Sequence, residues 1–88
     1  MDNKIVDGNG AESVVRRQLE SIYGEKLKDI FFRKAWHTPI GTSGAGIWEV
    51  EGTFRFKKGL FSTKKRVFRY QIDSENGKII GHEEITPK

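Results

Sequence analysis

Nine residues between positions 55 and 69 are the strongest candidates for chemistry in this 88-residue chain. The segment contains seven basic residues and no acidic one, and two apolar residues lie near its middle. Clustered positive charge attracts phosphates, acidic proteins and anionic membrane surfaces, and exposed apolar side chains can stack on a base or enter a lipid interface. The candidate anion-binding or partner-binding residues are Arg55, Lys57, Lys58, Leu60, Phe61, Lys64, Lys65, Arg66 and Arg69.

Two other interpretations of this basic segment stay open. Lysines beside strands keep sheet edges from pairing with other chains, which would make the charges a solubilising feature. Alternatively, Leu60 and Phe61 form a protein–protein contact. The positive charge is local in every case, because the rest of the chain holds nine basic and twelve acidic residues against a net charge of +4 for the whole.

The other groups of reactive side chains predict little chemistry. Glu49 and Glu51 share a predicted strand face beside Arg69, where ion pairing is favoured over acid–base catalysis. Residues 82–84 (His-Glu-Glu) point to alternate sides of a strand and make a poor metal site. The glycine-rich residues 41–46 lead into a strand and contain no lysine, unlike a phosphate-binding loop. We therefore expect a protein that is not an enzyme and has no catalytic residues, metal site or cofactor.

Composition limits the compartment and the size of the fold. The absence of cysteine excludes disulfides, thiolate metal sites and cysteine nucleophiles. No apolar run approaches the length of a membrane span, and the polar start lacks the apolar region of a signal peptide. The expected location is cytoplasmic by default, or envelope-associated if a targeting segment has been removed. The length predicts one domain.

Residues 9–88 are predicted to form this domain, after a polar, mobile or loosely docked tail at residues 1–8. Asn9 is a candidate helix N-cap, and Gly24 is a candidate C-terminal cap. Between them an apolar stripe at helical spacing predicts an amphipathic helix of about four turns. The stripe consists of Ala11, Val15, Leu19 and Ile22.

Alternating apolar and polar residues then predict four strands, near residues 30–36, 47–56, 67–72 and 78–85. The fold class is α+β: one N-terminal helix packed on a curved four-stranded antiparallel meander, in the order α-β-β-β-β. Residues 57–65 are expected to be a long connection between the second and third strands.

Pairing of the first two strands predicts Trp36 opposite Trp48, Phe32 opposite Gly52 and Ile30 opposite Phe54. The glycine is expected to let the sheet bend around the helix.

The order of these elements resembles a PepSY-type or cystatin-like domain over about residues 10–85. The resemblance rests on Ile47-Trp48-Glu49-Val50-Glu51-Gly52 and on the hairpin from Asp73 to Ile79, which is similar to an Asp-x-x-x-Gly-Lys-Val turn. It implies a small non-enzymatic binding or regulatory domain that acts on a protein partner, with no catalytic residues to carry over. The alternative is nucleic-acid or anionic-membrane binding through the basic hairpin at residues 55–69.

Overall fold

A computed structural model describes residues 4–41 and 45–87, which form one helix and one antiparallel sheet. Helix α1 spans Gly8–Tyr23, and a short 3₁₀ turn follows at Gly24–Lys26. The strands are β1 (Leu27–Pro39), β2 (Gly46–Lys58), β3 (Ser62–Asp73) and β4 (Ile79–Ile85). Each strand pairs with the next, so the spatial order is β1-β2-β3-β4 and the edges are β1 and β4. The predicted order α-β-β-β-β is confirmed.

Helix α1 lies on one side of the sheet, called here the inner face. Ala11, Val15 and Leu19 are fully buried against it, as the apolar stripe predicted. The predicted burial of Ile22 is wrong, since 54% of its surface is exposed. Tyr23 turns towards the sheet in its place, and its ring centroid lies 4.8 Å from that of Phe56.

Of the two predicted caps of the helix, one is wrong and one is confirmed. The predicted N-cap at Asn9 is wrong: Asp7 is the cap, and its Oδ1 accepts a hydrogen bond from the Gly10 N–H at 2.8 Å. Asp and Asn cap about equally well, so composition could not choose between two positions this close together. The cap at Gly24 is confirmed, with φ 56° and its N–H donated to the Glu20 carbonyl.

The inner face of the sheet carries the core. Alternate residues of β2 and β3 are buried there, as their period of two predicted. The buried residues are Val50, Phe54, Phe56, Phe68, Tyr70 and Ile72. Their rings touch one another across the strands: the Phe54 and Phe68 centroids lie 6.1 Å apart, and those of Phe68 and Tyr70 lie 5.8 Å apart.

The pairing of β1 with β2 is partly as expected. Phe32 lies opposite Gly52, as predicted, and so does Ile30 opposite Phe54. The predicted Trp36–Trp48 pair is wrong, because Trp36 lies opposite Glu49. A β-bulge between Phe32 and Lys34 adds one residue to β1 and shifts every later pair.

Gly52 sits directly beside this bulge. A Cβ atom at Gly52 would collide with the Phe31 carbonyl oxygen and would lie 2.8 Å from Cζ of Phe68. The close approach therefore requires glycine, and the neighbouring bulge adds bend and twist to β1 at the same point.

Residues before the helix contact the far end of the sheet. The Ile5 N–H donates to the Ser74 carbonyl at 2.8 Å, and Trp48 Nε1 donates to the Ile5 carbonyl at 3.2 Å. The turn between β3 and β4 is where Asn76-Gly77 predicted it. Gly77 has φ 72°, and its N–H donates to the Asp73 carbonyl at 2.9 Å.

Candidate functional site

The basic segment is built differently from the predicted long connection. Strand β2 runs to Lys58 and β3 begins at Ser62, and these two residues pair with each other. Only Gly59, Leu60 and Phe61 lie between the strands. Gly59 has φ 77°, a conformation that glycine adopts without a steric penalty. The predicted connection at residues 57–65 is therefore wrong, because a run of polar residues can pair as strand wherever its backbone finds a partner.

Residues 57–65 form the end of this hairpin and are called here the lysine tip. Phe56, at 8% exposure, is the last residue of β2 in the core. The tip continues two residue pairs beyond it and then turns, which extends the ribbon by roughly 10 Å. The resulting molecule is elongated, with a longest extent of 50 Å and a shortest of 17 Å.

The lysines of the tip lie on both sides of the ribbon. Lys64 pairs with Phe56, so Lys64 and Lys58 project on the inner-face side. Lys65 pairs with Arg55, so Lys65 and Lys57 project on the opposite side. Positive charge therefore surrounds the ribbon just behind its turn.

The turn itself is apolar and exposed. Phe61 is 98% exposed and Leu60 is 77% exposed. An aromatic ring that packs on nothing in its own fold contributes little to stability, so these two side chains are free to contact another surface.

Two of the three candidate arginines are engaged in ion pairs on the outer face, the side of the sheet away from the helix. Arg55 Nε donates to Oδ1 of Asp29 at 3.0 Å, and this bond holds the pKa of the Asp29 carboxyl below its usual value. Arg69 Nε donates to Oε1 of Glu51 at 2.8 Å, and Arg69 Nη1 lies 4.0 Å from Oε1 of Glu83. These acids raise the pKa of both guanidinium groups.

Arg66 is engaged in another way. It projects on the inner face, where its guanidinium lies 5.6 Å from the Phe56 ring centroid and Nη1 donates to Oγ1 of Thr86 at 2.7 Å. The nine candidate residues thus divide into six at the lysine tip and three arginines that already contact other side chains of the chain. The ion pair of Glu51 with Arg69 was predicted and is confirmed. The partners of Arg55 and Arg66 were not, because Asp29 and Thr86 come close to them only through the folding of the chain.

A second polar cluster, which the sequence did not predict, lies on the inner face beside β4. The Tyr23 hydroxyl donates to Oε2 of Glu84 at 3.1 Å, and the His82 ring stacks on Tyr70 at 5.6 Å. Burial, together with the charge of Glu84, raises the pKa of Tyr70 to about 12. The sequence feature that could have revealed this cluster is the alternation of residues in β4. It places His82 and Glu84 on the same face, opposite Tyr70 and Phe68.

Two general findings concern the described residues. Across residues 4–41 and 45–87, no three His, Asp or Glu side chains gather closely enough to hold a metal ion. In the same part of the chain, no helix has the length and apolar character needed to cross a membrane.

Comparison of the chain with protein-family models, with curated proteins and with solved structures found no match in any of the three. The similarity to PepSY-type and cystatin-like domains therefore stays a prediction, and the function must be argued from the geometry.

Proposed function

We propose that this chain is a non-enzymatic binding domain that attaches to anionic membrane surfaces through its lysine tip. The observation that carries the proposal is the position of Leu60 and Phe61, exposed at the end of a projecting ribbon with lysines on both of its sides. An anionic bilayer matches this arrangement, because its apolar acyl chains can receive Leu60 and Phe61 while its anionic headgroups contact the lysines.

The magnitudes favour this mode. Burying a Leu or Phe side chain contributes about 1.5–3 kcal/mol. Each lysine close to an anionic leaflet contributes about 1 kcal/mol. Two apolar side chains and four lysines together therefore supply roughly 7–10 kcal/mol before the cost of immobilising the protein. Stable attachment generally needs both kinds of contribution, and the lysine tip has both.

The distribution of the lysines argues against nucleic acid. A β-ribbon that binds a duplex lays one face in a groove, so charges on that face alone would contact phosphates. In this ribbon Lys57 and Lys65 point away from Lys58 and Lys64. If the turn of the ribbon contacts the membrane first, all four lysines can lie close to its headgroups.

The size of the apolar surface argues against a protein partner at this position. A specific protein–protein interface buries about 800 Å² on each side. The turn presents only two large apolar side chains, Leu60 and Phe61. A bilayer requires no complementary pocket, so this small surface is sufficient there.

Vesicle flotation tests the proposal. The chain is expected to float with vesicles of phosphatidylcholine and phosphatidylserine but not with phosphatidylcholine alone. Phe61→Ser should weaken binding by about tenfold or more, because it removes the larger apolar contact. Lys58→Ser with Lys64→Ser should weaken it by roughly thirtyfold. The matched control is Arg17→Ser with Lys78→Ser, which removes equal charge near the opposite end of the sheet and should leave most binding intact.

Three results would overturn the proposal. The first is no flotation with the anionic vesicles, and the second is equal flotation of the Phe61→Ser variant. The third is the absence of vesicle binding together with binding to another class of partner. That partner would be a DNA or RNA duplex, bound at low salt with the same lysine dependence, or a specific protein recovered from the host.

A further inference from the structure

The outer face of the sheet carries an apolar row that crosses all four strands. Phe31 pairs with Thr53, Thr53 pairs with Val67, and Val67 pairs with Ile85. Phe31 is 69% exposed and Ile85 is 54% exposed. Helix α1 covers the inner face, so this row faces away from the core.

A charged row lies directly beside the apolar one. Lys34 pairs with Glu51, Glu51 with Arg69, and Arg69 with Glu83. The signs along the row are therefore plus, minus, plus, minus. When such a row is turned end for end and laid on a copy of itself, opposite signs meet at every position.

A depression lies between these two rows, and residues of all four strands line it. Its volume is about 270 Å³, and its lining includes Thr53, Val67 and Ile85 from the apolar row. The depression is open to an apolar side chain from a facing surface.

We propose that a second copy of this chain packs on the outer face, with a two-fold axis parallel to the strands. This axis places β1 over β4 of the other copy. Lys34 then meets the partner's Glu83. Glu51, which is hydrogen-bonded to Arg69 of its own chain, also faces the partner's Arg69. Phe31 lies over the partner's Ile85, at the edge of the depression. The contact uses one patch twice, as a two-fold interface requires.

The other in-plane axis fits less well. A two-fold axis along the rows would bring Lys65 against the partner's Arg69. The axis along the strands brings Arg55 near the partner's Lys65, but Asp29 already neutralises Arg55 through its hydrogen bonds. The charges therefore favour the axis along the strands.

The size of the face sets the expected strength. Four strands and about seven residues along each give a footprint of roughly 450 Å². Stable interfaces bury about 800 Å² per partner, and twisted sheets pack at about 30° to each other, so contact is best near the centre. The dimer is expected to be weak and reversible. The chosen axis also points both lysine tips the same way, which would strengthen surface attachment by avidity.

Sedimentation equilibrium without lipid tests the dimer separately from the proposed function. The wild type should dimerise reversibly as its concentration rises. Phe31→Ser should leave only monomer, and its exposed position should leave folding intact, as circular dichroism would show. Lys34→Glu should weaken the dimer about tenfold by opposing the partner's Glu83. The matched control, Lys26→Glu, lies in the 3₁₀ turn off this face and should dimerise like the wild type.

A charge exchange gives the sharpest outcome. Glu83→Lys added to Lys34→Glu restores opposite signs between copies, so the dimer should return to near wild-type strength. Within one chain these residues lie on opposite edge strands, about 14 Å apart, and a rescue must act between chains. The proposal is overturned by a monomer at every concentration, by a dimer that survives Phe31→Ser, or by a double variant no stronger than the single one. Phe61→Ser, which should weaken vesicle attachment by about tenfold or more, should leave the dimer unchanged.

Discussion

The β2–β3 hairpin has two halves that share one ladder of backbone hydrogen bonds and differ in the burial of their side chains. Residues 48–56 with 66–72 form the core half, where alternate side chains are buried under α1. The lysine tip continues the same register without a break. Helix α1 ends at Tyr23, whose ring packs on Phe54 and Phe56. Pairing therefore decides where the strands run, while the length of the helix decides where the core stops.

The largest contrast is expected between two phenylalanines of this hairpin. Phe54→Ala should lower the free energy of unfolding by about 3–5 kcal/mol, because it leaves a cavity under the helix. Phe61→Ala should change it by less than about 0.5 kcal/mol, since the ring packs on nothing. Urea denaturation of both variants measures the difference. Similar losses in the two would mean that the tip belongs to the folded core.

A methyl group at Gly52 tests the closest backbone approach in the core half. Gly52→Ala would force its Cβ against the Phe31 carbonyl oxygen, a backbone atom that cannot rotate away. The expected loss is more than about 2 kcal/mol, comparable to overpacking in a core. Denaturation shows the effect, and an unchanged midpoint would contradict the close contact between β1 and β2.

Tyr70 makes the stability of the core half depend on alkaline pH. Its ionisation is expected near pH 10 when unfolded and occurs at about 12 when folded. The raised pKa means that the stabilisation is complete below about pH 10 and is lost as pH rises towards 12. The wild type should lose on the order of 2 kcal/mol by about pH 11.5 from this residue.

Tyr70→Phe is the control for this alkaline loss. Its hydroxyl is buried and has no hydrogen-bond partner among the described residues, so its removal should cost little near neutral pH. Unfolding curves at near-neutral and alkaline pH should show a flatter dependence in the variant. An equally steep alkaline loss would assign the effect to other groups.

The smallest effect of a backbone substitution is expected at the turn of the lysine tip. Gly59→Ala forces alanine to adopt φ 77°, which costs about 1 kcal/mol, although the space around it is open. Denaturation should show this modest loss while β-sheet content stays unchanged. A loss as large as that at Gly52 would mean that the turn controls the whole hairpin.

Much of the fold followed from periodicity. Spacing at Ala11, Val15 and Leu19 predicted the helix, and alternation predicted the inner-face residues of β2 and β3. Both patterns report burial on one side of an element, which sequence records directly. The bulge between Phe32 and Lys34 did not follow, because a single extra residue leaves local propensity unchanged.

The candidate site followed only in part. The amino-acid sequence by itself determined that positive charge concentrates between Arg55 and Arg69 and that two apolar residues lie within it. The predicted face shared by Glu49 and Glu51 also indicated the ion pair with Arg69. Only the tertiary structure showed that Arg55 and Arg66 have partners, because Asp29 on β1 and Thr86 after β4 are distant in sequence. It also decided that the lysine tip is a paired ribbon, since hydrogen bonds between strands depend on a partner and not on the polarity of the residues that form them.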